Sequence, residues 1–248
     1  MKITIVTVVY NARETIICAL ESILNQSYSN IEIIVIDGGS SDGTMEILKK
    51  YRKRLSLLIS EPDNGIYDAM NKGIKYATGD VIGFLHSDDS FFNKEVLACV
   101  AKQFSIPEIH GVYGDLVYIS KTEHNKTIRF WKSTKYSEDK LKSGWTPPHP
   151  TLYIRSSIYK MVGEFDSSLK ISADYDFMLR ILKHEKVFCK YIPQTLVKMR
   201  YGGVSNNSLK NILLKTKEDY ISLKKNKVGG LWTLIFKNIR KIPQFFER

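Results

Sequence analysis

Two carboxylates, Asp88 and Asp89, stand side by side at the end of an apolar run in "FLHSDDSFF" (84–92). Adjacent acids repel unless positive charge lies against them, and a divalent cation is the least costly source of it. Mg²⁺ or Mn²⁺ prefers carboxylate oxygens and completes its shell with water and substrate phosphates. A solvated turn explains most Asp-Asp pairs taken singly, so the weight lies in the surroundings. Asp37 ends a second apolar run, "IEIIVID" (31–37), ahead of "GGSSDGT". That position suits a carboxylate accepting hydrogen bonds from a base or a ribose. "EPDNGIYDAMNKG" (61–73) places Asp63 just after a third run, with Asp68, Asn71 and Lys72 on the segment beyond. Helix caps account for one or two such acids. Their recurrence at the ends of successive runs asks for more.

The elements that position these acids are legible from the pattern. "KITIVTVVY" (2–10) is a continuous β-branched run, as a strand buried on both faces should be. "ETIICALESILNQS" (14–27) carries Ile17, Leu20, Ile23 and Leu24 at helical spacing. Strand 31–37 follows, and Asp42 is placed to cap the helix "GTMEILKKYRKR". A third strand (55–61), a helix (65–78) ended by Gly79 and a fourth strand (80–86) complete an alternation that implies a parallel sheet with right-handed crossovers. Ligands of such sheets bind beyond the carboxyl ends of the strands, where the acids fall. The second half is less regular. Strand 111–119 is expected to pair with 127–132 as a hairpin, and 143–155 reads as a Pro-broken loop entering a strand. "ADYDFMLRILKH" (173–184) reads as a helix with Phe177, Leu179, Ile181 and Leu182 inward and Asp174 and Asp176 in its first turn.

A chain of 248 residues, 43% hydrophobic, supports one sizeable core. Its net charge is +11, and the segment from 206 onward holds ten cationic residues against three acidic ones, +7 of that excess. In "GGLWTLIFKNIRKIPQFF" (229–246), Leu231, Leu234, Ile235, Ile239 and Ile242 share one helical face, Trp232 and Phe236 flank it, and Lys237, Arg240 and Lys241 lie opposite. A basic amphipathic helix of this kind suits an anionic membrane surface. An ordinary helix packed on the domain is the other reading, and the concentration of charge favours the first. No aromatic stacking motif of the nucleic-acid modules occurs, so nucleic acid is not expected as a partner. No stretch of ~18 apolar residues occurs, and the first apolar run is too short for a spanning helix. The three separated cysteines, Cys18, Cys99 and Cys189, are expected to be buried and reduced.

Taken in order, "VTVVYNARETIICALESILNQSYSNIEIIVIDGGSSDGT", "EPDNGIYDAMNKGIKYATGD" and "FLHSDD" resemble the family-two glycosyltransferases of the GT-A fold. Within these, the look is of colanic-acid and O-antigen type enzymes of bacterial polysaccharide synthesis. The resemblance covers roughly residues 2–205 and implies an α/β fold with a Rossmann-like, mostly parallel central sheet flanked by helices. It divides the chain into a transferase domain, 1–205, and a basic helical tail, 206–248. Thr7, Val8 and Tyr10 would hold the nucleotide base, Asp37 its edge, and Asp63, Asp68, Asn71 and Lys72 would border the nucleotide-sugar pocket. Relatives often carry Arg before that Asn. Here it is Met70, with Lys72 the nearby charge. Asp89 would be the metal ligand, Asp88 a ribose or metal-water contact, and His86 a wall of the pocket. Asp174 takes the place of the general base, with Ala173 where Glu is usual and Asp176 ranked second. Trp145 and His149 would lie on the acceptor side. "KMRYGGVSNN" lacks the metal-binding His of many relatives, and Arg200 would meet the diphosphate instead.

The resemblance implies a metal-dependent, inverting, hexosyltransferase-type reaction using Mn²⁺ or Mg²⁺. A sugar would pass from a nucleotide-diphosphate donor to a saccharide or polyprenyl-diphosphate-linked acceptor. The enzyme would be cytoplasmic and peripheral on the inner face of the cytoplasmic membrane. A sugar nucleotidyltransferase needs a Gly-rich basic loop after the first strand, and "YNARET" has none. A dinucleotide oxidoreductase fails for want of Gly-x-Gly-x-x-Gly. A non-catalytic nucleotide-sugar-binding protein of the same fold stays open, against the joint presence of Asp37, Asp89 and Asp174.

Overall fold

The computed structural model describes residues 1–120, 126–202 and 208–245. The expected boundary at 205/206, the "VSNN" end of the closing loop and Arg248 lie outside the described residues. Four strands, β1 (Ile3–Val9), β2 (Ile31–Asp37), β3 (Leu57–Ser60) and β4 (Val81–Phe84), form a parallel block in the order β3-β2-β1-β4. Helices α1 (Ile16–Leu24), α2 (Thr44–Tyr51) and α3 (Ile66–Tyr76) make the connections. Every residue of β1 is buried. Its Val6 and Val8 pack with Tyr67, Met70 and Ile74 of α3, and its Ile3, Ile5 and Val9 with Ile16, Leu20 and Ile23 of α1. Register places Val9 opposite Asp37 and Asp37 opposite Ser60, so the carboxyl ends form one rim.

The helix over 14–27 forms with a different phase from the one its spacing suggested. Ile16, Ala19, Leu20 and Ile23 are buried, while Ile17 is 46% exposed. Two adjacent isoleucines leave the phase undefined locally, and packing on β1 selects the first. The cysteines are free, but Cys18 is exposed and the other two half-buried, which corrects the expectation of burial. Cys18 is turned outward by the same change of phase.

The second half extends the sheet through β5 (Ser90–Phe91), β6 (Gly111–Ile119), β7 (Thr127–Trp131), β8 (Tyr153–Arg155) and β9 (Cys189–Arg200), in the order β4-β8-β6-β9-β5. β6 and β7 pair antiparallel, as expected of the hairpin, and β8 is antiparallel to both of its neighbours. β9 runs parallel to β6 for its length, but the register jumps from Tyr113↔Tyr191 to Asp115↔Thr195, across Pro193. Proline has no N–H to give the ladder, so the strand bulges there. Helices α4 (Val96–Gln103), α5 (Glu138–Lys142), α6 (Ser156–Val162) and α7 (Ala173–Lys183) cover this half.

The tail forms α8 (Leu209–Lys225) and α9 (Leu231–Ile239), and both pack on the body. The buried Glu218 carboxylate accepts the N–H groups of Lys170, Ile171 and Ser172 at 2.8–3.0 Å, capping the entry to α7. Leu223, Val228 and Leu234 join the core. The apolar stripe of α9 faces outward: Leu231 is 62% exposed, Trp232 73% and Phe236 48%. Thr233, Leu234 and Lys237 face the body instead, so Leu234 parts from the stripe with which its spacing grouped it. Among the described residues, no helix is long and apolar enough to cross a membrane.

Candidate active site

The rim of the parallel block is held by Asp37. Its Oδ1 accepts from the Ser40 hydroxyl at 2.5 Å. Its Oδ2 accepts from the N–H groups of Gly39 and Ser40 at 3.1 Å and from the Ser60 hydroxyl at 2.6 Å. Both oxygens of this fully buried carboxylate therefore shape the 38–40 loop and tie β2 to β3. Asn11, with φ of 48°, locks the facing loop, its N–H on the Ser40 hydroxyl and its side-chain oxygen on the Ser41 N–H. Asn tolerates that left-handed backbone better than most residues. A Cβ at Gly38 would lie 2.5 Å from Asp63 Oδ2 and 3.4 Å from Tyr10 Cδ2, so Tyr10 and Asp63 converge over the glycine. The Tyr10 ring is 65% exposed there, an open face at the lip. Thr7 sits below with its hydroxyl buried and without a partner, and Val8 belongs to the core.

Residues of α3 and of the loop before it bond to one another. Asp63 accepts the Gly65 N–H at 2.9 Å, and Asp68 accepts the Asn64 N–H at 3.0 Å. Lys72 Nζ lies 2.9 Å from Glu61 and 3.6 Å from Asp68; its hydrogen bond to Glu61 raises its pKa. Asn71 uses both ends of its amide on the Phe165 backbone, at 2.9 and 3.0 Å, so a role at the pocket acts through that clamp. Met70 is fully buried, which leaves no charge at its position.

At the end of β4 the chain turns, with the Asp89 N–H donating to the His86 carbonyl at 3.1 Å. Asp89 is 1% exposed, and neither of its carboxylate oxygens has a hydrogen-bond partner. Burial first, and the neighbouring Asp88 second, push its pKa well above the ordinary carboxylate range. A buried carboxylate with no donor is costly, and a bound cation removes the cost. Asp89 and the half-buried Asp88 therefore fit a divalent metal. No three His, Cys, Asp or Glu side chains converge among the described residues, so water and a ligand's phosphates would complete the shell.

Opposite this turn, α7 presents Asp174, half-buried at its N-terminus. The Tyr67 hydroxyl donates to the Ile171 carbonyl at 2.7 Å and lies 3.0 Å from Asp174 Oδ1. Asp176 is fully buried and spent: Arg180 donates to it at 2.9 Å and Asn226 at 2.8 Å. Between the strand end and α7 stand His86 and His149, their rings 6.4 Å apart and 30° from parallel. Burial, then the repulsion a protonated His149 would exert, holds His86 down to about 4, and burial lowers His149 as well. Both imidazoles are thus neutral at neutral pH, with the charge of Asp174 felt at each. Trp145 meets Tyr113 edge-on within the core, its indole N–H buried without a partner. Arg200 ends β9, half-buried and in register with Ile119.

Sequence reasoning missed Tyr118 and Arg129, which flank the same space. Tyr118 feels the charges of Arg129, Asp89 and Asp174, and the Arg129 guanidinium lies 4.8 Å from its ring centroid. The signal available was the aromatic-cationic alternation of the hairpin, "RFWK", at 129–132.

The family described as Glycosyl transferase family 2 matches residues 4–162. A PGL/p-HBAD biosynthesis glycosyltransferase of Mycobacterium bovis (strain BCG / Pasteur 1173P2) is 27% identical over 210 residues, 83% of this chain and 79% of that protein. S. aureus TarS 1-349 in complex with UDP-GlcNAc superposes with a TM-score of 0.70 at 19% identity, over 92% of this chain and 66% of that one. The chain spans 39% of the longer TarS chain. The mannosyltransferase PcManGT of Pyrobaculum calidifontis, in complex with GDP-Man and Mn²⁺, superposes with a TM-score of 0.68 at 16% identity, covering 99% of this chain and 73% of that one. The fold is therefore the GT-A fold: a mixed α/β, mostly parallel sheet flanked by helices. With the family match running through more than half its length, from β1 to α6, the chain belongs to glycosyl transferase family 2.

Proposed function

We propose that the chain moves a sugar from a nucleotide-diphosphate donor to an acceptor hydroxyl by a single inverting displacement. The observation that carries this reading is the buried Asp89 carboxylate with both oxygens unpartnered at the carboxyl end of a parallel strand. Tyr10 offers the base an open ring face, and Asp63 stands beside it at the lip. Asp37 acts by holding the loop on which the nucleotide rests. Mn²⁺ or Mg²⁺ bound at Asp89 and Asp88 would supply neutralising charge to the departing diphosphate. Arg200 is the cation at the end of β9 for the same phosphates. Asp174 takes the acceptor proton, and the neutral His86 and His149 wall the acceptor side without adding charge. The ligands of the solved relatives, UDP-GlcNAc and GDP-Man, make UDP- and GDP-sugars the first donors to assay. One of these should be hydrolysed or transferred only with Mn²⁺ or Mg²⁺ present. A donor panel with no metal-dependent turnover would overturn the reading.

The acceptor belongs to the same proposal: a saccharide carried on a lipid diphosphate, in cell-surface polysaccharide synthesis at the inner face of the cytoplasmic membrane. Support comes from the outward apolar face of α9, together with Leu209 and Leu213 of α8, 81% and 72% exposed. Such a face stays in water only at a cost, and the interfacial layer of a membrane relieves it. Trp232→Ser with Phe236→Ser should weaken binding to phosphatidylglycerol vesicles by at least about tenfold, with the fold intact, since both side chains point away from the body. Vesicle binding unchanged in the double variant would remove the membrane from the account.

A further inference from the structure

The inward face of the tail gathers positive charge next to Asp174. Lys215 precedes Asp219 by one turn on α8, and Lys241 follows Lys237 by one turn on α9 and the residues after it. Lys237 Nζ lies 2.7 Å from Asp219 Oδ2 and 3.2 Å from the centroid of the Tyr175 ring, with its side chain 11% exposed. Lys241 donates to the neutral Asn238 oxygen at 2.8 Å, and the Lys215 ammonium has no ion pair among the described residues. Arg129, 8% exposed, comes in from β7 and holds the Gln244 side-chain oxygen at 2.8 Å. Its guanidinium is fixed 4.8 Å from the Tyr118 ring centroid and 5.3 Å from that of Trp131.

The four cations act on one another. Burial, then the charges of Lys215 and Lys237, pull Lys241 down to about 7, and Arg129 adds to the effect. Lys237 rests on the ring of Tyr175, the residue after Asp174, which puts the group on the side of the candidate general base, and the charge of Asp174 is felt at Lys237 and at Tyr118. Among the described residues, Asp219 is the acid paired with these lysines, and its second oxygen is buried without a partner, as is the Tyr175 hydroxyl. Gathering like charges at a half-buried face is unfavourable unless a multivalent anion comes to them.

We propose that Lys215, Lys237 and Lys241, backed by Arg129, form a binding site for a phosphate or diphosphate group next to Asp174. That the group belongs to the acceptor rests on the reading of Asp174 as general base. The site itself rests on the cation cluster. One helix would then serve both halves of a lipid-diphosphate acceptor, its outer face the lipid and its inner face the phosphates.

Calorimetric titration of the full chain with pyrophosphate in EDTA tests the site, because without a divalent cation the Asp89 position does not compete for phosphate. Binding is expected, with Lys215→Gln and Lys241→Gln each weakening it by about tenfold or more. Lys241→Arg should retain it, and Asp89→Asn should leave it unchanged. The ¹³C-labelled Lys241 side chain should titrate at higher pH when pyrophosphate is bound. No metal-free binding, or equal binding in Lys215→Gln and Lys241→Gln, would overturn the proposal. So would loss of phosphatidylglycerol-vesicle binding in these variants with pyrophosphate affinity intact, which would assign the cluster to headgroups. Pyrophosphate bound as expected by a chain that transfers no sugar would refute the transferase reading and leave this site standing.

Discussion

Asp174→Asn is expected to slow sugar transfer by about 10²–10⁴-fold while donor affinity and thermal stability hold. Asn keeps the shape of the side chain and its contact with the Tyr67 hydroxyl, 3.0 Å away, but cannot take a proton from an acceptor hydroxyl. The contrast is with Asp176, two residues on. Its carboxylate is fully buried and receives Arg180 and Asn226, so Asp176→Asn leaves a guanidinium short of its partner at the edge of the core. That change should cost on the order of 2–3 kcal/mol of stability with turnover near normal wherever the fold survives. Steady-state rates and melting curves of the two variants separate the roles. Near-normal turnover in Asp174→Asn, or a collapse of turnover in a folded Asp176→Asn, would move the base elsewhere.

The two carboxylates could be ranked from sequence only by resemblance, because both lie in the first turn of one helix. What separates them is Arg180 on the same helix and Asn226 fifty residues away. The parallel block was legible for the opposite reason. Strands such as Ile31–Asp37 are continuous β-branched runs, and their period needs no partner to be read. β9 was not legible, since Pro193 and the polar Lys190, Gln194 and Lys198 break its run, and it becomes a strand only by pairing with its neighbours. The outward turn of α9 is a tertiary choice as well. Its two faces are equally helical, and Asp219 decides between them by taking Lys237. The same holds within the site. Asp37 and Asn71 stand out in the sequence as polar residues at a strand end and on a helix, but their bonds to Ser40, Ser60 and Phe165 depend on loops that the local pattern leaves undefined. Asp89 was the reverse case. Its place beside Asp88 at the end of an apolar run already asked for positive charge, and neither of its oxygens has a hydrogen-bond partner.

That shortage makes Asp89→Asn the sharpest test of the metal. With its pKa raised by burial and by Asp88, the folded state of the metal-free protein binds a proton at Asp89 more readily than the unfolded chain does. The stability this contributes is complete below the unfolded value, about 3.9, and is lost as pH rises toward the raised folded value. Metal-free wild type should therefore lose stability as pH rises from the acid range toward neutrality, and Asp89→Asn should show less of that loss. Near neutral pH in EDTA the variant should melt higher, because a buried group that resists ionisation has been replaced by a neutral one. Saturating donor and Mn²⁺ reverse the order. At about 100 times the dissociation constant, a ligand of the folded state adds about 2.7 kcal/mol, or roughly 5–10 °C for a chain of this size. Wild type should gain that increment and the variant almost none, with transfer abolished. An equal donor and Mn²⁺ shift in both proteins would place the cation away from Asp89, and with it the diphosphate on which the displacement depends.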